Sequence, residues 1–284
     1  KTAIAGADLY TNEAIAGLIP KDKSKITDKY LFALFNGRMI DLENVGNKAF
    51  GKSLNSTYLN EDVQIPLPPF DIQQQIVSEC ERVDEEYKKG QKTINDSRVK
   101  IEDCFVALDK KATKTLKLSS KEVFDISIGR RVLNSEVSSE FDIPVYSANV
   151  FEPFGMINKL LIEDFSKDSV VWGIDGDWMV NIIPANTPFY PTDHCGVLRI
   201  KTIDVLPKYM AHLLEQEGRK VGFKRSYRAS IDRIESLSVN VAPIDEQRKA
   251  ISEIEIYEQK IAEAKAVMAG CAEQKKQILD KWLN

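Results

Sequence analysis

IPLPPFDIQQQIVSE, residues 65–79, reads as an extended segment stopped by prolines and followed at once by a helix, and it occurs twice. Its echo is VNVAPIDEQRKAISE at 239–253, aligned without a gap at an offset of 174. Pro69, Asp71, Gln73, Ser78 and Glu79 return as Pro243, Asp245, Gln247, Ser252 and Glu253. In both places proline ends a strand and opens a helix. The aspartate falls in or near the first turn, where its charge suits the helix dipole.

Beyond each proline the chain keeps the same period. Ala250, Ile254, Tyr257, Ile261, Ala264, Met268, Cys271, Lys275, Ile278 and Trp282 alternate spacings of four and three, a heptad seam lapsing at Lys275. Ile76, Cys80, Val83, Tyr87, Gly90, Ile94, Ser97, Ile101, Cys104 and Leu108 keep the same alternation, with weak positions at Gly90 and Ser97. Each run implies a helix of ~55 to 60 Å at 1.5 Å per residue. A long helix with one apolar stripe is seldom stable alone, so the two seams are expected to pack on each other.

The repeat continues upstream with small gaps. DKYLFALFN at 28–36 answers PKYMAHLLE at 207–215, Gly17-Leu18-Ile19 answers Gly196-Val197-Leu198, and SLN at 53–55 answers SID at 230–232. The chain is two copies of one unit, a globular part and then a long helix. The opening residue aligns near Val180, so the first copy lacks the counterpart of about 117–179. A fragment or a truncated gene is expected.

The totals exclude several classes. Hydrophobic residues at 43% and charged residues at 29% suit an ordinary soluble protein. No apolar run approaches the ~20 residues that cross a bilayer. The opening KTAIAGADLY has neither a basic start nor an apolar signal core. Cys80, Cys104, Cys195 and Cys271 show no C-x-x-C spacing, which fits unpaired thiols in a reducing compartment. His194 and His212 are the only histidines, too few for a histidine-rich metal site. A net charge of -4 gives no general attraction to nucleic acid, which leaves local basic patches to be weighed.

Two motifs are decoys. GNKAFGKS at 46–53 matches the phosphate-loop pattern G-x-x-x-x-G-K-[ST]. MIDLENV before it is no convincing buried strand, and no amphipathic helix comes after it. The repeat lays Lys52 over Arg228 in VGFKRSYRAS, which has no Gly-Lys-Ser, so a glycine-bearing basic loop is the better reading. Leu67-Pro68-Pro69-Phe70 imitates the N-P-P-[FY] of adenine methyltransferases, but a leucine cannot hydrogen-bond a target amino group.

The loops offer other chemistry. RKVGFKRSYR at 219–228 holds the cations Arg219, Lys220, Lys224, Arg225 and Arg228 with Phe223 and Tyr227 and no acid. Cations contact phosphates through counterion release, and arginine also forks onto guanine; the alternative is a solvated basic turn. Lys48 and Lys52 give the first copy a weaker version. In IPVYSANVFEPFG at 143–155, Tyr146, Ser147 and Asn149 read a base edge or build a turn. Asp175 and Asp177 in VVWGIDGDWMV suggest a metal or, more simply, turn chemistry. In PFYPTDHCGVLRI, Tyr190, Thr192, Asp193 and His194 stand at the mouth of a strand, where the histidine is structural or part of a polar rim touching DNA.

The paired P-x-D-x-Q helix starts, the GFKRSYRAS loop and the VVWGIDGD…TDHCGVLRI body together resemble the DNA specificity subunit of type I restriction-modification systems. The resemblance implies an α+β fold: target-recognition domains, each mixed α/β with a twisted sheet, joined by two long antiparallel coiled-coil helices. It divides the chain into 1–69, the C-terminal part of a first recognition domain; 70–110, a central spacer helix; 111–243, a second recognition domain; and 244–284, a C-terminal spacer helix. It implies a cytoplasmic, non-catalytic subunit that binds double-stranded DNA and docks two modification subunits and separate restriction or motor subunits. S-adenosylmethionine and ATP with magnesium then belong to those partners, with no cofactor or metal in this chain. Adenine methylation and restriction would be directed to a bipartite site whose unread spacer is set by helix length. Self-dimerisation of truncated chains is a further expectation.

The expected DNA contacts rest on side-chain chemistry: Lys224, Arg225, Tyr227 and Arg228 first, then Ser147, Asn149, Thr192 and His194, with Lys48 and Lys52 in the first copy. The rival readings are a coiled-coil scaffold that reads no DNA and a phosphate-loop nucleotide-binding protein.

Overall fold

The structure, a computed structural model, describes residues 2–12, 15–37, 59 and 63–283. In chain order its elements are α1 (Asp28–Asn36), α2 (Phe70–Asp109), β1 (Lys114–Lys117), β2 (Phe124–Ile128), β3 (Ile143–Tyr146), β4 (Gly155–Ile157) and β5 (Ser169–Gly173). Then come β6 (Val180–Ile183), β7 (Tyr190–Pro191), β8 (Cys195–Ile200), α3 (Pro207–Val221), α4 (Ile231–Glu235), β9 (Ser238–Val241) and α5 (Ile244–Leu283). The fold is α+β, and the two long helices start where the prolines place them. Pro69 O accepts from Gln73 N and Pro243 O from Gln247 N, each at 3.1 Å, so each proline carbonyl takes an early helical hydrogen bond. No helix among the described residues is long and apolar enough to cross a membrane.

The chain divides into two compact units, Lys1–Ser97 with Glu258–Asn284, and Arg98–Tyr257. In the first, the early part of α2 runs antiparallel to the late part of α5. Glu79 meets Lys281, Asp84 meets Lys275, and Gly90 faces Met268. A Cβ at Gly90 would lie 2.8 Å from Met268 Cγ, so glycine there permits the close approach. Ile76, Cys80, Val83, Ile94, Ala264 and Cys271 are buried as the heptad pattern requires. Lys275 is no lapse in packing: it is buried in the seam, and its ammonium lies 2.5 Å from Asp84 Oδ1. Tyr87 departs from the pattern and is 46% exposed. At one end Tyr30, Ala33 and Leu34 of α1 pack against Ile76, Cys80 and Leu279.

The second unit carries the sheets. A four-stranded sheet has the order β2-β8-β5-β6, all antiparallel. A three-stranded sheet has the order β4-β3-β7, with β3 and β7 parallel, and β1 pairs with β9. Trp172, Phe124, Leu198, Tyr209, Met210 and Leu214 are fully buried in one core between the four-stranded sheet and α3. Gly196 is obligatory there, because a Cβ would meet the Trp172 ring at 2.1 Å.

The repeat is also a structural one. Tyr30 of α1 donates its hydroxyl to Pro66 O at 2.9 Å, and Tyr209 of α3 has its hydroxyl 3.5 Å from Asn240 O, the residue 174 positions after Pro66. In the second unit the same hydroxyl donates to Asp109 Oδ1 at 3.0 Å. Beside it His212 Nε2 lies 3.1 Å from Asp109 Oδ2, with its ring stacked on Phe105 at 3.9 Å. These contacts fasten α3 to the last turn of α2.

Candidate nucleic-acid interface

The polar loops of the second unit gather at one end of the four-stranded sheet because of strand order. β8 is central and begins beside the ends of both its neighbours: Gly196 pairs with Ile128 of β2, and Cys195 pairs with Gly173 of β5. The turn that enters β8, Thr192-Asp193-His194, therefore lies between the chain leaving β2 and the chain leaving β5. The three-stranded sheet delivers Ser147 to the same place. Thr192 N donates to Tyr146 O at 2.9 Å, and the Thr192 hydroxyl donates to Ser147 Oγ at 3.1 Å.

His194 is held from behind. Its N–H donates to Thr192 Oγ1 at 3.2 Å, and its Nδ1 lies 2.9 Å from Asp175 Oδ1. Its Nε2 lies 3.9 Å from Asp193 Oδ1. Asp175 also lies 3.7 Å from Arg228 Nη2, so one carboxylate positions both side chains. Gly176, at φ +93°, makes the turn that brings Asp175 back over the sheet end.

The basic run is a small hairpin bound to this end. α3 stops at Gly222, whose φ of +79° is the left-handed cap that releases the chain from the helix. Lys224 and Tyr227 then exchange backbone hydrogen bonds of 3.1 and 2.8 Å, placing Arg225 and Ser226 at the tip. The hairpin is anchored by a row of rings. Trp178 donates from Nε1 to Glu215 O at 3.0 Å, Phe223 lies 5.1 Å from Trp178, and Tyr227 lies 5.9 Å from Phe223. Gly218 makes room for Trp178, since a Cβ would come within 2.2 Å of its ring. Ala229 N donates to Ile174 O at 2.8 Å, and Trp172 Nε1 donates to Ala229 O at 3.0 Å. The Arg233 guanidinium lies 4.1 Å over the Tyr227 ring and donates to Arg228 O at 2.7 Å.

The charges in the run are unequal. Arg219 pairs with Glu215 at 2.5 Å and Lys220 with Glu217 at 2.7 Å, both on their own helix. Lys224 and Arg225 have no ion-pair partner among the described residues, and their charge is open to a ligand. Cys195, next to His194, offers no nucleophile: burial pushes its thiol up to about 12. Among the described residues no group of three or more His, Cys, Asp or Glu is arranged to hold a metal.

The expected residues fall into three groups. Lys224, Arg225, Tyr227, Arg228, Ser147 and His194 come together at this end. Thr192 is only 4% exposed and spends its hydroxyl on Ser147 and the His194 amide, so it supports the rim rather than forming its surface. Asn149 is exposed, but its Oδ1 accepts from Phe151 N and Glu152 N at 3.0 and 3.2 Å, the turn-building alternative. Lys48 and Lys52, with all of GNKAFGKS, lie outside the described residues. Sequence reasoning missed Arg233, isolated on α4, and the pair Arg130-Arg131, too short to stand out as a basic run.

Comparison with known proteins identifies the family. Residues 1–95 and 114–266 match the family model described as type I restriction modification DNA specificity domain. Over 108 residues the chain is 28% identical to a type I specificity subunit, S.MpnORF289P N-terminus, of Mycoplasma pneumoniae (strain ATCC 29342 / M129 / Subtype 1). That alignment takes in 38% of this chain and 56% of the relative, so the chain spans little more than half of that protein. Among solved structures it resembles the S subunit of a type I restriction-modification system from M. genitalium, with TM-score 0.58 and 15% identity over 93% of this chain and 74% of that one. It also resembles a chain from work on complex assembly and conformational transition of the type I R-M system, with TM-score 0.59 and 17% identity over 93% and 72%. At such identities the two structures speak for the fold.

Proposed function

The chain belongs to the type I restriction modification DNA specificity family, and on that premise we propose that it is a sequence-specific DNA-binding subunit that directs adenine methylation and restriction by partner subunits to a bipartite site. The observation that carries this reading is the hairpin tip. Lys224 and Arg225 stand without acidic partners beside a rim in which Ser147, His194 and Arg228 are already oriented by hydrogen bonds and by Asp175. Unpaired cations take up phosphates by releasing counterions. Preset side chains such as Arg228 and His194 then meet base edges in the major groove.

The chain itself is the reading part and performs no chemistry. Methyl transfer, with S-adenosylmethionine, belongs to two modification subunits, and ATP-driven work belongs to restriction or motor subunits. The antiparallel helix pair offers the surface on which such subunits dock. The first copy, or the pairing of two such chains, supplies a second reading head.

Base-resolution mapping of adenine methylation tests this reading, comparing cells that express the chain with its modification subunits and cells without the chain. A new bipartite motif that depends on the chain is the expected result, and a palindromic motif identifies paired copies. A stable complex that yields no new motif rejects DNA reading in favour of a scaffold.

A further inference from the structure

Beyond the residues assigned above, Arg130 and Arg131 form a second cationic arm of the same face. Both are exposed, and neither has an ion-pair partner among the described residues. Their backbone is fixed rather than loose. Gly129 N donates to Cys195 O at 3.3 Å, and Arg130 N donates to Pro191 O at 3.2 Å, which ties this segment to both ends of the Thr192–His194 turn. Gly129 makes the contact possible, because a Cβ there would stand 1.8 Å from Pro191 O. The chain thus leaves β2 flush against the turn, and two guanidiniums follow at once.

Strand order puts this arm and the hairpin on opposite flanks of the turn. Arg130-Arg131 leave β2, while the hairpin is bonded to Ile174, which continues β5; β8 and its entering turn lie between them. Two strand spacings separate β2 from β5, about 10 Å. With an arginine or lysine reaching out on each flank, that span suits the two phosphate walls of a major groove about 12 Å wide.

We propose that Arg130 and Arg131 bind the phosphodiester backbone of one DNA strand while Lys224 and Arg225 hold that of the other, so that the Thr192–His194 turn and Ser147 enter the groove between them. This rests on the DNA-reading function proposed above and adds to it the orientation of the duplex. The cations on the two flanks position the duplex, and the groups on the turn discriminate its bases.

The test uses the full chain in complex with its modification subunits and two duplexes, one carrying the mapped motif and one scrambled. Replacing both residues, Arg130→Ala with Arg131→Ala, should weaken binding to both duplexes by the same factor. The log–log salt slope should become shallower by about 1.8, the value for two lost phosphate contacts. Arg130→Lys with Arg131→Lys should keep the slope, which separates loss of charge from loss of fold. Methylphosphonate interference gives the orientation: the 130/131 alanine variant should lose its signal on one strand, and Lys224→Ala with Arg225→Ala on the other. An unchanged slope, or loss on the same strand in both variants, overturns the two-flank arrangement while wild-type binding leaves DNA reading intact. Failure of the wild-type complex to prefer the motif duplex overturns the reading itself.

Discussion

Gln73 and Gln247, 174 residues apart, make the same pair of hydrogen bonds. Gln73 Nε2 donates to Lys25 O at 2.7 Å and to Pro68 O at 3.0 Å; Gln247 Nε2 donates to Asp204 O at 2.9 Å and to Ala242 O at 2.7 Å. Lys25 and Asp204 are equivalent in the repeat, as are Pro68 and Ala242. Each buried amide locks the start of a long helix to the short helix of its own unit. The copies differ at the other amide atom. Gln247 Oε1 accepts from Leu206 N at 2.8 Å, whereas Gln73 Oε1 is buried without a partner among the described residues. The reason lies in the caps: Thr27 caps α1 with its own hydroxyl, while Leu206 at the start of α3 has no side-chain acceptor to offer.

From this asymmetry Gln247→Leu should cost more than Gln73→Leu. The first strands one buried N–H and two carbonyls, about 2–4 kcal/mol; the second strands two carbonyls and removes an atom already unpaired, about 1–2 kcal/mol. Urea denaturation of the two variants measures the difference. Equal losses would show that the third bond contributes nothing.

Lys275 and Asp84 form a polar pair inside an apolar seam. Lys275→Met alone should destabilise by about 1–2 kcal/mol, because Asp84 is left facing apolar neighbours although it keeps some access to water. Lys275→Met with Asp84→Leu should return to wild-type stability or above it. A double-mutant cycle reads the coupling, and additive losses would mean that the two charges do not act as a pair.

Acid should loosen the first unit through Glu79. Hydrogen bonds from Lys281, and then from Trp282, hold its carboxyl below the usual carboxylate range. A depressed folded value means that the stabilisation is complete above the unfolded carboxylate pKa and is lost as pH falls through the folded one. Stability measured against pH should therefore fall below about pH 4.3, the ordinary glutamate value. Glu79→Gln should flatten that part of the curve; identical acid limbs in the two proteins would exclude Glu79 as a contributor.

At the hairpin tip, Arg225→Ala should weaken binding to the motif and to scrambled DNA by the same factor, as loss of a phosphate contact does; a guanidinium forked onto a base would instead cost about 1–3 kcal/mol on the motif alone. Competition with scrambled DNA distinguishes the roles. A loss confined to the motif marks base reading, and an equal loss on random DNA marks a phosphate contact.

Much of this molecule is legible in sequence because its long helices are periodic. A seam repeats every three or four residues, so Ile76, Cys80 and Val83 announce their burial within one window, and prolines mark where each helix begins. Tyr87 breaks the pattern because an apolar position in a heptad states a preference, while exposure depends on what the facing helix places opposite. The basic run was also visible, being contiguous.

The candidate interface was only partly visible, and for a physical reason. Ser147, Asp175, His194 and Arg228 are scattered in the chain, and they meet because β8 lies between β2 and β5 while the β3–β7 pair abuts the same turn. Strand neighbours are chosen by nonlocal hydrogen bonding, which leaves no mark in any short window. The sequence by itself determined the repeat, the paired helices and the cationic run, all set by local periodicity and composition. Only the tertiary structure decided that Thr192 is a buried support, that Asn149 serves its own turn, and that Arg130 and Arg131 leave β2 beside the Thr192–His194 turn, because those facts depend on which strands pair.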